Sequence, residues 1–198
     1  MTNIIVKIIR TALAMMVTAL GISLMIRADV GMNPWWTLTF GLSQYTGLSL
    51  GLIVQFLGLI FIGLAFLLGV KPGLTTILDM FLVGFYINVL SHIQIAIPDI
   101  YIIKILLSIL GIIIFCLGLS LTVSTGLGAG PKDSFTFAIV KKTKISISKV
   151  KLTIESLTFI LGVILGGPFG LGTILATLLT GRLLSLYLKR LKYDPMTA

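Results

Sequence analysis

Three ionisable side chains, Asp79, Glu155 and Arg182, stand inside otherwise apolar runs. A charge within a bilayer costs roughly 2.5–3.5 kcal/mol on insertion scales, so such residues mark ion or substrate pathways or pair with one another. Counted from the ends of their runs at 1.5 Å per residue, all three share one layer, roughly 8–12 Å from the same membrane face. One positive and two negative charges at that depth lead to an expectation: Arg182 pairs with Glu155 or Asp79, and the remaining carboxylate couples a proton or cation. The competing reading is that each reaches the water interface separately, Arg182 by extending along its stem. His92 and Asp99 fall near span ends, where solvated loop positions are expected. No cluster of His, Cys, Asp and Glu has metal-ligand spacing. Neither Gly-x-Ser-x-Gly nor His-Glu-x-x-His is present. Hence no catalytic residue, metal or cofactor is expected, and the chain makes no case for an enzyme.

A second signal is a pair of glycine-proline stretches. Residues 28–37 read ADVGMNPWWT, preceded by Arg27, and residues 126–135 read GLGAGPKDSF. Gly31, Gly128 and Gly130 permit backbone angles closed to other residues. Pro34 and Pro131 suit the first position of a helix, where a missing N–H costs nothing. Asn33 is placed to cap the first of these helices, and Asp133 favours the positive end of the second. Short helices are therefore expected over Trp35–Tyr45 and Lys132–Thr143, too short to span and so interfacial or re-entrant. A helix N-terminus beside Lys132 suits an anion, although neither stretch has the Gly-Lys-Ser/Thr ending of a nucleotide loop. The plainer alternative is two tight connections between spans.

These stretches are one device used twice. Sliding the chain against itself by 97 positions places Pro34 on Pro131 and Gly31 on Gly128, with 20 identities in the 65 positions from Leu20 to Gly84. Apolar composition explains chance Leu and Ile matches but not aligned Gly21/Gly118, Gly69/Gly166, Gly73/Gly170 and Gly84/Gly181. The pattern is an internal duplication, with repeat 1 over about 4–93 and repeat 2 over about 100–190 of a single membrane domain. Asp79, Glu155 and Arg182 break it, matched by Ala176, Gly58 and Phe85.

The elements that must carry these residues are membrane helices. The 198 residues are 57% hydrophobic and only 11% charged, with mean hydropathy +1.15. That composition reads as a polytopic α-helical membrane protein rather than a soluble domain. Continuous apolar runs exclude a β-barrel, whose strands alternate. Six runs approach the 20 or so residues of a span: Ile4–Ile26, Leu48–Leu68, Leu74–Ile93, Ile100–Val123, Val150–Leu165 and Leu171–Leu188. The first is a helix rather than a signal peptide, because its Gly21-x-Ser23-Leu24 recurs as Gly118-x-Ser120-Leu121. Short turns such as Lys71-Pro72-Gly73 separate the runs. Cys116, the lone cysteine, lies inside one and reads as packing.

With the N-terminus inside, 13 of the 15 Lys and Arg residues fall on the cytoplasmic side and only Arg27 and Lys104 outside. The basic charge of +9 is thus a topology signal rather than a nucleic-acid surface. Both termini are expected in the cytoplasm. Three spans per repeat make the second repeat inverted relative to the first. Inverted repeats with broken helices are transporter architecture.

Ile26–Trp36, the GLGAGPKDSF stretch, Ile145–Glu155 and Leu165–Thr173 together resemble the YczE/YyaS/YitT family of bacterial integral membrane proteins. The likeness covers nearly the whole chain. Its YczE-like branch commonly has arginine where this chain has Lys132, and an acidic residue where this chain has Trp36 and Thr37. The resemblance implies a multi-pass protein of the bacterial plasma membrane without the soluble C-terminal domain of the YitT-like branch, and it carries no substrate. The leading expectation is a transporter or channel component for a small solute, its partners the lipid bilayer, that solute and a homo-oligomer. The alternative is a non-transporting membrane protein that regulates or scaffolds a partner.

Overall fold

The structure, a computed structural model, describes residues 4–71, 73–93 and 97–193. Pro72 and both chain ends, including the termini assigned to the cytoplasm, lie outside them. The described chain is all-helical: α1 (Ile4–Ala28), α2 (Pro34–Thr46), α3 (Leu50–Leu67), α4 (Leu74–Ser91), α5 (Tyr101–Ser124), α6 (Pro131–Thr143), α7 (Ile147–Ile164) and α8 (Leu171–Arg190). Four of these, α1, α4, α5 and α8, are long and apolar enough to cross a membrane. The six runs read from the sequence all fold as helices; α3 is apolar throughout Leu52–Leu67, whereas α7 carries Lys149, Lys151 and Glu155. Outward-facing leucine and phenylalanine clothe the exterior, among them Leu13, Leu59, Phe81 and Leu106. Such a surface suits lipid rather than water.

α1 and α5 cross at the centre, and small residues set their approach. A Cβ on Gly21 would meet the backbone of Phe115, and one on Gly118 would meet the backbone of Thr18. Without a hydrophobic driving force between helices in lipid, such close backbone packing holds the pair together. Ile22, Met25, Ile112, Phe115, Cys116 and Leu119 fill the core around this crossing, joined by Ala176, Leu184 and Leu188 from α8. α4 lies along α1, α8 along α5, α2 on α7 and α3 on α6. Buried threonines would leave orphan hydroxyls in such a core. Thr18, Thr158, Thr177 and Thr180 instead donate to the carbonyl four residues back, as membrane helices allow.

The two short helices form within a residue of the expected bounds. Asn33 caps α2, its side chain accepting from the Trp35 N–H at 2.9 Å, and Pro34 begins the first turn. Gly130 and Pro131 do the same for α6, without a capping side chain. Gly31 (φ 106°) and Gly128 (φ 112°) sit in the left-handed region. There they admit the start of the last helix of each half: Gly172 N–H donates to Val30 O at 2.7 Å and Thr75 N–H to Leu127 O at 3.2 Å. Both short helices are packed into the bundle, α2 burying Thr37, Leu38, Thr39 and Gly41, rather than lying on its surface.

The halves differ in how their last two helices pack. α7 and α8 lie side by side, with Gly181 against the backbone of Ser148 and the side chain of Lys151. α3 and α4 stand apart except where Met80 reaches Gly58. Gly84, 97 positions before Gly181, has nothing within 4 Å of where a Cβ would be.

Candidate functional site

The gap between α3 and α4 is a cavity of about 160 Å³. Its polar wall is Asn33 and the first turn of α6, Gly130 to Asp133, with Asp79 from α4 opposite. Trp35 and Trp36 of α2 contribute the aromatic wall, and Ile22, Val54, Met80, Val83, Phe115 and Leu119 the apolar one.

Behind the cavity α6 and α7 form a compact ion network. Glu155 is fully buried, and its Oε1 accepts from Lys132 Nζ at 2.8 Å. Lys151, one helical turn earlier on the same face of α7, lies 3.8 Å from the same oxygen and bonds Asp133 Oδ1. Only 1% of the Lys151 side chain is exposed. Two cations thus face two anions, the arrangement that makes burial of charge tolerable. The second Glu155 oxygen, Oε2, has no partner among the described residues. Lys132 also lies over Trp35, its Nζ 5.5 Å from the ring centroid.

Asp79 stands outside this network. It lines the cavity, is partly buried, and makes no hydrogen bond or ion pair among the described residues. Its carboxylate lies against the start of α6: Oδ2 is 2.6 Å from where a Cβ on Gly130 would be. An anion at a helix N-terminus is favoured by the exposed N–H groups there. Asp79 thus lies against the start of α6, a helix start that no side chain caps as Asn33 caps α2.

The expected partnership of Arg182 is corrected. Arg182 is exposed on α8 and takes part in no ion pair among the described residues. Glu155 is held by Lys132 and Lys151 instead, because the first turn of α6 lies beside α7 while Arg182 faces outward. Lys151 belongs to the 13 basic residues of the topology count, yet it is the most deeply buried cation among the described residues. The sequence signal for its role is Lys151-x-x-x-Glu155, a spacing that puts both on one helix face. Arg27 is not part of the turn beside Gly31. It sits in the last turn of α1, where Nη2 donates to Leu90 O at 2.6 Å and Ile93 O at 2.5 Å at the end of α4.

Near the start of α5, Asp99 is 94% exposed and bonds Lys104 at 2.6 Å, which holds its carboxyl below the usual carboxylate range. His92 is likewise exposed, Nδ1 against Asn88 O. Both match the solvated reading. Among the described residues no group of three His, Cys, Asp or Glu is arranged to hold a metal ion.

Comparison with known proteins agrees with a membrane role. The chain is 33% identical over 172 residues, 86% of its length and 80% of the relative's, to the "Uncharacterized membrane protein YczE" of Bacillus subtilis (strain 168). It is 28% identical over 181 residues, 89% of each chain, to the "Uncharacterized protein YyaS" of the same organism. It is also 28% identical over 180 residues, 88% of this chain and 80% of the other, to an "Uncharacterized protein" of Haemophilus influenzae. No solved structure matches it significantly. Residues 5–189 match the model of the family of unknown function DUF6198, and the chain belongs to that family, alongside YczE and YyaS.

Proposed function

We propose that this protein is a small-solute transporter of the bacterial cytoplasmic membrane. It is built from two inverted units of three spans, with both termini inside and α2 and α6 as re-entrant half-helices. The observation that carries this reading is the asymmetry between the halves: α3 and α4 enclose a cavity where α7 and α8 are closed. Helix starts correspond at an offset of 97 residues (Pro34 and Pro131, Leu50 and Ile147, Leu74 and Leu171). So do the glycine contacts at the α1–α5 crossing. Two like units in unlike states around one site are what alternating access requires. Closing α4 onto α3, with Gly84 meeting Val54 as Gly181 meets Lys151, exchanges the states of the two halves. α4 suits the moving part, since only Thr75 and Thr76, at its start, are fully buried.

The test is uptake of a panel of small amines, amino acids, carboxylates and sugars into proteoliposomes. A Val54→Cys/Gly84→Cys variant follows, joined by a bifunctional thiol reagent. Uptake of a solute that stops on cross-linking supports transport. Uptake indifferent to the cross-link overturns the gating role of α4. No uptake together with a stoichiometric co-purifying protein favours the scaffold reading.

A further inference from the structure

We propose that the α3–α4 cavity binds a small organic cation, with its ammonium at Asp79 and its apolar body against Trp35, Trp36 and the aliphatic wall. As the substrate class of the transporter above, the assignment rests on that reading, but binding alone tests it.

Charge balance comes first. Lys132 and Lys151 are matched by Glu155 and Asp133 in direct contact. Of the five charged groups clustered here, Asp79 alone has no partner among the described residues, and it lies on the cavity wall. A cation entering the cavity completes the pairing. An anion would face the unpaired carboxylate, and the N-terminus of α6, otherwise an anion site, already has Asp79 against it.

The rest of the wall selects the kind of cation. A small hard metal ion needs several oxygen ligands, and no cluster of three metal-binding side chains exists among the described residues. Apart from Asp79, Asp133, Asn33, Thr18 and Lys132, whose ammonium is held by Glu155, the wall is aliphatic, thioether and aromatic, with glycine backbone between. Tryptophan faces attract ammonium groups, and Lys132 already uses Trp35 in this way at 5.5 Å. Isoleucine, valine, leucine and phenylalanine accept a hydrocarbon body. The volume, about 160 Å³, is below the roughly 300–1,000 Å³ of drug-sized pockets, so the ligand is small. In the closed half the counterparts of Asp79 and Trp35 are Ala176 and Lys132, so only this half has the site.

The chain contains two tryptophans, and both line the cavity, so intrinsic fluorescence reports occupancy. Purified protein in detergent is titrated with n-butylammonium chloride, sodium butyrate and sodium chloride. The expected result is a saturable emission change with butylammonium alone. Asp79→Asn should weaken it roughly 30-fold, and Asp79→Glu should retain most of it. Saturation by butyrate in place of butylammonium, or the absence of any saturable response to butylammonium, overturns the proposal without recourse to a variant. An unchanged titration in Asp79→Asn does so too. Butylammonium binding with no uptake of any amine in proteoliposomes keeps the ligand class and sinks transport. Uptake of butyrate with no ammonium binding does the converse.

Discussion

Lys132 Nζ lies 5.5 Å from the centre of the Trp35 ring, and the two residues occupy the same place in the two halves of the chain, each one position after a proline that begins a short helix. The first turns of α2 and α6 therefore meet, one offering an aromatic face and the other a cation. Phe61 from α3 packs edge-on against both Trp35 and Phe135, with ring centroids 5.5 Å apart in each case. Lys132 is held from two sides, by Trp35 and by Glu155, and so closes the wall between the ion network and the cavity.

A double-mutant cycle on Trp35→Leu and Lys132→Met measures that contact. The coupling expected is about 0.5–2 kcal/mol, the range of partly desolvated cation–π pairs. Thermal unfolding in detergent supplies the four stabilities. Additive losses would show that the ring and the ammonium are neighbours without attraction.

Lys151→Met should be among the most damaging substitutions in the molecule. It leaves Asp133 without its partner and removes one of two cations beside a fully buried Glu155. Breaking a buried pair on one side costs about 3–5 kcal/mol. Arg182→Gln, on the exposed face of α8, should fall within about 0.5 kcal/mol of the parent. Melting temperatures at matched expression separate the two, and equal losses would contradict the network.

The glycines divide by local geometry. Gly31→Val and Gly128→Val should destabilise strongly, because φ is 106° and 112° there and β-branched residues reject that region. Gly63→Val should be tolerated, as nothing lies within 4 Å of a Cβ there. At Gly111, by contrast, a Cβ would come within 2.8 Å of Gly21 O and the Met25 side chain. Gly111→Val should therefore also be damaging, by separating α1 from α5. Equal tolerance at Gly31 and Gly63 would refute the turn argument.

Arg27 ties the end of α1 to the end of α4 through two carbonyls. Such charge-assisted bonds contribute about 1.5–3 kcal/mol. Arg27→Gln should lower stability and speed hydrogen exchange in the last turn of α4 while leaving α8 unchanged. Uniform exchange rates across both helices would show that Arg27 has no local anchoring role.

Orientation is tested with single cysteines read by an impermeant thiol reagent on intact cells. A cysteine at Gln44 should label from outside and one at Lys142 only after lysis. Both positions are exposed, and buried Cys116 gives little background. External labelling at Lys142 would reverse the orientation read from the basic residues.

Much of the architecture is legible in the amino-acid sequence alone. The helices follow from hydropathy, and the starts of α2 and α6 from Asn33-Pro34 and Gly130-Pro131. These are local signals: capping, proline at the first turn and glycine at positive φ are decided by a few neighbouring residues. The 97-residue spacing of glycines and prolines is equally open to reading, because backbone approach constrains residue type wherever it occurs. Hydropathy is a poorer guide to α7, whose Lys151 and Glu155 lower its apolarity because they pair with α6 inside the bundle.

Which charges meet is not legible there. Asp79, Glu155 and Arg182 stand out because each interrupts an apolar run, and depth along a helix places them in one layer. Depth is a one-dimensional quantity, whereas pairing depends on which way each helix is turned about its axis and on which neighbour it packs against. The tertiary structure turns Arg182 outward, brings Lys132 and Lys151 onto Glu155 and Asp133, and leaves Asp79 facing a cavity. That cavity exists because α3 and α4 stand apart while α7 and α8 pack together, a difference between nearly repeated sequences that only the packing of whole helices decides.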